Sequence, residues 1–164
     1  MSKVTGDAGE WYTLSQFAFA GVAAAKMPDN WKEYDLILDF EGRLSRVSVK
    51  TRRRTEKWSS APWFNFDDRQ NNVDIIVFVL KADTSLESWV VPFELALEHA
   101  RLPSPTARDR WSRDMHLATL QSELSCFKDR WDLPTRFDKF VERPVTPDIP
   151  SHAEQLAQLK AGKR

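Results

Sequence analysis

The sequence has one cysteine, five glycines and three histidines, and its 24 lysines and arginines are matched by 24 aspartates and glutamates. Each scarcity excludes something. Cys126 alone can form neither an internal disulfide nor a cysteine-rich zinc module, so it reads as a small packed hydrophobe. His99, His116 and His152 are scattered, and none has a neighbour at metal-ligand spacing. So few glycines leave no Walker loop to cradle a phosphate, and a GxSxG nucleophile elbow is also missing, so no cofactor-binding motif is present. Balanced charge gives no global attraction to nucleic acid. No apolar run reaches the roughly 18 residues that span a bilayer. The opening Met-Ser-Lys-Val-Thr-Gly-Asp lacks a hydrophobic signal region, so the expectation is a cytoplasmic protein with no membrane partner. There is no internal repeat.

What is present is a core. Apolar residues make up 41% of the 164, with seven tryptophans, which is enough to bury one domain and excludes disorder for most of the chain. The domain is expected over residues 1–143. After Glu142 the composition turns to Arg-Pro-Val-Thr-Pro-Asp-Ile-Pro, and residues 144–164 read as a Pro-rich, basic C-terminal tail, with a short helix over Ser151–Lys160.

Taken in order, Thr5 or Asp7 caps a helix over Ala8–Ala25, whose core stripe is Trp11, Leu14, Ala18, Val22 and Ala25. A hairpin follows, then a polar, basic loop from Arg52 to Ala61. Trp63–Phe66 reads as a short strand. Val73–Leu80, VDIIVFVL, is apolar throughout and reads as a central strand covered on both faces. Ser88–Pro92 is a further strand and Phe93–Leu102 a helix with Leu95, Leu97 and Ala100 toward the core. A loop over Pro103–Arg113, a strand over His116–Leu120, a helix over Gln121–Trp131 and an apolar cluster at Asp138–Val141 complete the reading. The order predicts an α/β fold: a mixed central sheet of about five strands flanked by helices.

The hairpin organises the chemistry. In YDLILDF, Leu36 and Leu38 lie on one face and Asp35, Ile37 and Asp39 on the other; Glu41-Gly42 turns the chain; and in RLSRVSVKT, Leu44, Arg46, Ser48 and Lys50 alternate with Ser45, Val47, Val49 and Thr51. Strand side chains repeat every two residues, so Ser48 and Lys50 share a face, and antiparallel pairing brings Asp35 beside them. From Lys50 to Lys57 five basic residues accompany one acid, next to Trp58 and Trp63. That is a local footprint for a phosphate backbone or, equally, a charged guard on a sheet edge.

This arrangement resembles the PD-(D/E)xK nuclease superfamily, and within it small bacterial endonuclease-like domains whose hairpin reads roughly YDLxxD, turn, RVQVKT. Gly6-Asp-Ala-Gly-Glu10 is similar to the superfamily's first-helix GE element, and Trp63–Phe66, Asn72–Val79 and Trp89–Pro92 to its later strands. The resemblance implies a restriction-endonuclease-like core and a DNA-cleaving enzyme dependent on Mg²⁺ or Mn²⁺. By position, Asp35 is the metal-binding aspartate, Glu10 a further metal-binding acid, Lys50 the catalytic lysine, and Ser48 stands where the superfamily has Glu, Asp or Gln. Arg52, Arg53, Arg54 and Lys57 are then the nucleic-acid contacts.

Such a set suits phosphodiester hydrolysis. Carboxylates hold a hard cation that neutralises phosphate charge and activates water, and a lysine orients the water or meets developing negative charge. Each residue also has a plainer reading: Asp35 as a strand-end acid, Lys50 as one cation on a solvated edge, Glu10 as an acid favoured in a first helical turn. A serine-lysine nucleophile from Ser48 and Lys50 lacks an oxyanion element. Two functions remain, a metal-dependent endonuclease whose missing acid comes from Glu56, Asp67 or Asp68, and a nuclease-fold domain without activity that binds nucleic acid or a partner protein. A homodimer is compatible with both.

Overall fold

A computed structural model describes residues 3–54, 62–70 and 72–134. The expected tail over 144–164, the Asp138–Val141 cluster, Glu56 and Lys57 lie outside the described residues. Helix α1 spans Lys3–Phe19, followed by strands β1 (Ala23–Lys26), β2 (Leu36–Phe40), β3 (Arg43–Arg53), β4 (Trp63–Asp67), β5 (Ile75–Lys81) and β6 (Leu86–Pro92). Helix α2 (Phe93–His99), strand β7 (Ser112–His116), helix α3 (Leu117–Gln121) and a 3₁₀ turn at Ser125–Phe127 come after them. Five strands form one mixed sheet in the order β1-β2-β3-β5-β6, in which β3 and β5 run parallel and the other neighbours antiparallel. This is the α/β architecture expected from the sequence.

The hairpin forms as its alternation predicts. Phe40 pairs with Arg43 across a two-residue turn, in which Glu41 and Gly42 both take positive φ, 53° and 80°. That is the type I′ geometry whose twist matches a hairpin, and Gly42 adopts it without steric cost. The Gly42 amide also donates to Asp39 Oδ1 at 2.9 Å. The basic segment expected as a loop from Arg52 instead continues β3 through Arg53.

Strand β5 is buried from Ile75 to Leu80, as an unbroken apolar run requires. Its row Lys50, Phe78, Trp89 faces one layer and its row Thr51, Val79, Ser88 the other. On the first face Phe78 packs against Phe64 and Phe66 of β4, ring centroids 5.2 and 6.0 Å away. On the second lies α1, where Gly9 is pressed so closely to the Thr51 side chain that a β-carbon there would overlap it. That contact explains the glycine before Glu10.

Several elements differ from expectation. The first helix ends at Phe19, and Ala23–Lys26 is a strand paired with Leu36–Asp39. Gly21, at φ 79°, allows a Schellman-type stop: the Val22 amide donates to the Phe17 carbonyl at 2.9 Å and the Gly21 amide to Ala18 at 3.0 Å. Alanine propensity is overridden by a free sheet edge. The buried face of α1 is Gly9, Thr13 and Phe17, whereas Trp11 is 58% exposed. A sheet approached this closely accepts a small residue, and the bulky Trp11 is turned out.

Strand β4 pairs with β7 in a separate two-stranded sheet, so β1 rather than β4 is the fifth strand of the main sheet. The strand expected over His116–Leu120 lies at Ser112–His116, and Leu117–Gln121 is helical. Helix α2 stops at His99 because the Arg101 amide bonds the Asp114 carbonyl at 2.9 Å. In place of a helix over Gln121–Trp131 there is only the 3₁₀ turn; Leu124 and Phe127 are buried, but Cys126 is exposed.

Candidate active site

Asp35 sits just before β2, where that strand meets β3. Its amide donates to the Val47 carbonyl at 2.8 Å and its carbonyl accepts from the Met27 amide at 2.9 Å. Its carboxylate takes over the ladder: Oδ2 accepts from the Val49 amide at 2.6 Å and from Ser48 Oγ at 3.3 Å. The carboxylate is therefore fixed by backbone, and a charge-assisted bond from an amide is a strong way to fix it. Ser48 is fully buried. Lys50 is on the same face of β3 by alternation, level with Phe78, on the side of the β4–β7 layer. The Asp35–Ser48 contact expected from the hairpin is thus present, with Lys50 next along that face.

Glu10 comes from α1, on the other side of β3. Its Oε2 lies 3.0 Å from Lys26 Nζ, and the two side chains are only 18% and 14% exposed. Lys26 also reaches Asp29 at 2.8 Å, Asp29 reaches Lys3 at 2.7 Å, and Lys3 reaches Asp7 at 2.9 Å. Hydrogen bonds from Lys26, and then Lys3, hold the Asp29 carboxyl down at about 2. Bonds to Asp29, and then Glu10, raise Lys26 well above the usual lysine range. Glu10, Asp35, Lys26 and Asp29 border one cavity of about 290 Å³, whose lining also includes Trp31 and Tyr34. Lys50 does not border it.

Four carboxylates, Asp7, Glu10, Asp29 and Asp35, line the cavity, and carboxylates are the donor chemistry Mg²⁺ takes, since it is commonly held by one or two of them with substrate phosphate and water completing the shell. Asp35 and Glu10 fit that pattern. Among the described residues no three His, Cys, Asp or Glu side chains group closely enough to hold a metal ion. Of the substitutes for the missing acid, Asp67 is ion-paired with Arg69 at 2.5 Å and Asp68 with Arg113, and neither borders the cavity. The Arg69 hydrogen bond holds the Asp67 carboxyl below the usual range, and the charge of Lys50 adds to the effect.

Of the basic residues, Arg52 donates through Nε to the Trp63 carbonyl at 3.1 Å, while Arg53 and Arg54 are exposed at the end of β3. Sequence reasoning missed Lys26, Asp29 and Lys3. Lys26 pairs with Asp29 three residues on and Lys3 with Asp7 four residues on, spacings that ordinary surface pairs share, and only the β1–β2 pairing and the α1 packing bring Lys26 to Glu10 and Lys3 to Asp29.

No protein-family model matches the chain, and no curated protein matches it in sequence. Among solved structures it is similar to the bacterial homing endonuclease I-Ssp6803I, with a TM-score of 0.56 and 19% identity over 85% of this chain and 96% of that one. A looser likeness, TM-score 0.43 and 13% identity over 69% of this chain and 84% of that one, is to the Holliday junction resolvase Hjc of Archaeoglobus fulgidus. The first likeness is one of fold: this chain shares with that protein a mixed, helix-flanked sheet. Among the described residues no helix is long and apolar enough to cross a membrane.

Proposed function

We propose that this chain is a divalent-metal-dependent endonuclease that hydrolyses phosphodiester bonds in DNA. The observation that carries the reading is the Asp35 carboxylate, locked by the Val49 amide beside Ser48, with Lys50 following on the same strand face, in a fold shared with a homing endonuclease. In this reading Asp35 and Glu10 hold Mg²⁺ or Mn²⁺, which when bound offsets phosphate charge and acidifies water. Lys50, on the β4–β7 side of β3 and outside the cavity, orients the attacking water or meets the charge that develops on the phosphate only where the substrate reaches past Asp35 to that face. Arg52, Arg53, Arg54 and Lys57 contact the DNA backbone and position it without reading sequence.

Purified protein with either metal is expected to nick or cut DNA, and Asp35→Ala and Lys50→Ala are each expected to lower the rate by roughly a hundredfold or more. A gel assay over duplex, branched and single-stranded DNA checks this. A second reading, a nuclease-fold domain that binds DNA or a partner protein without cutting, is favoured by the pairing of Glu10 with Lys26. Binding without cleavage of any of these substrates, with both metals, decides for it.

A further inference from the structure

The acid proposed as a metal ligand already has a cation. Lys26 Nζ lies 3.0 Å from Glu10 Oε2, at a partly buried position where solvent and salt screen the pair less than at the open surface. The ammonium is delivered by backbone, because Lys26 pairs with Leu36 in the sheet and the next amide, of Met27, donates to the Asp35 carbonyl. The lysine and Asp35 are therefore anchored to one another through main chain. Lys26 also has a second partner, Asp29, at 2.8 Å. If Glu10 is taken by another cation, Lys26 keeps an ion pair.

We infer that Lys26 is a positioning residue that holds Glu10 at the cavity as a tethered counter-ion and competes with a divalent cation for that carboxylate. The inference rests on the proposed metal reading and deepens it. In the metal-free protein Lys26 fixes the rotamer of Glu10 and offsets a charge that would otherwise be partly buried without a partner. Were a metal to take Glu10, the ammonium would keep the bond to Asp29 that it already makes at 2.8 Å, an acid that Lys3 also holds at 2.7 Å. Metal affinity is thereby set below what two free carboxylates would give, so the site fills fully only when substrate phosphate adds its own charge and oxygen ligands.

The test is calorimetric titration of Mn²⁺ into the full chain without DNA, comparing wild type with Lys26→Gln, Lys26→Met, Lys26→Arg, Glu10→Gln and Asp35→Asn. Removing a like charge beside a divalent ion is expected to tighten Mn²⁺ binding about tenfold in Lys26→Gln and Lys26→Met, equivalent to about 1.4 kcal/mol. Lys26→Arg restores the wild-type value, and Glu10→Gln added to Lys26→Gln removes the gain. Lys26→Gln keeps a long polar stem, so a folding failure confined to Lys26→Met leaves the test intact. Binding no tighter than wild type in Lys26→Gln, with Glu10→Gln and Asp35→Asn both weakened, overturns the role of Lys26 and leaves the metal reading standing. Glu10→Gln and Asp35→Asn that bind like wild type overturn the metal reading and this inference with it.

Discussion

Ser48 is the residue at which this chain departs from the superfamily it resembles, and burial determines what that departure does. Its hydroxyl is fully enclosed and makes a 3.3 Å bond to Asp35, a neutral contact beside a carboxylate already satisfied by the Val49 amide. Ser48→Ala is therefore expected to cost only about 1 kcal/mol or less and to leave activity in place. Ser48→Glu is different. It sets a second carboxylate against Asp35 in a buried position, which is expected to cost about 2–4 kcal/mol without metal and to lower the melting temperature by roughly 5–15 °C. A cation between the two acids recovers part of that loss, so thermal unfolding in EDTA and in Mn²⁺ checks the contact. An unchanged melting temperature in EDTA would mean the two side chains do not meet. The Asp35–Ser48 contact was legible because a period of two and a two-residue turn determine it locally. The exposure of Trp11 and Cys126 was not, since which face of a helix or turn is covered depends on its neighbours.

Strand β3 is the element on which both proposed roles meet, with Ser48 and Lys50 inside the sheet and Arg52, Arg53 and Arg54 at its end. Arg52 is committed to the Trp63 carbonyl, whereas Arg53 and Arg54 are exposed. If these two touch phosphates, DNA binding falls steeply with salt, and Arg53→Ala with Arg54→Ala is expected to flatten the log-log slope by roughly one to two units. Filter binding across a salt series measures this; a slope equal to wild type would make the pair an edge guard only. The run from Ala18 to Ala25 shows where element reading stops short. Helix propensity favours continuing through Ala23–Ala25, but β2 offers those residues a ladder of backbone bonds, and Gly21 supplies the turn that lets the chain take it.

At the scale of the molecule, one cluster of rings joins the two sheets. Phe78 of the central strand packs on Phe64 and Phe66, and Phe66 packs on Phe93 at 5.9 Å. Phe78→Ala is expected to cost about 3–5 kcal/mol, because the cavity it leaves lies between layers that cannot collapse onto each other. A urea titration reads the loss, and a cost under 1 kcal/mol would show that the β4–β7 layer contributes little to the core. The sequence by itself determined the hairpin, its Glu41-Gly42 turn, the buried central strand and the nearness of Asp35 to Ser48. These follow from side-chain alternation, turn geometry and unbroken apolar runs, all of which act over a few residues. Only the tertiary structure decided that β1 joins the main sheet while β4 leaves it for β7, that β3 runs parallel to β5, and that Lys26 reaches Glu10. Those outcomes join residues distant along the chain, and they are set by the total area buried and the backbone bonds satisfied when the layers close, a sum no local stretch contains.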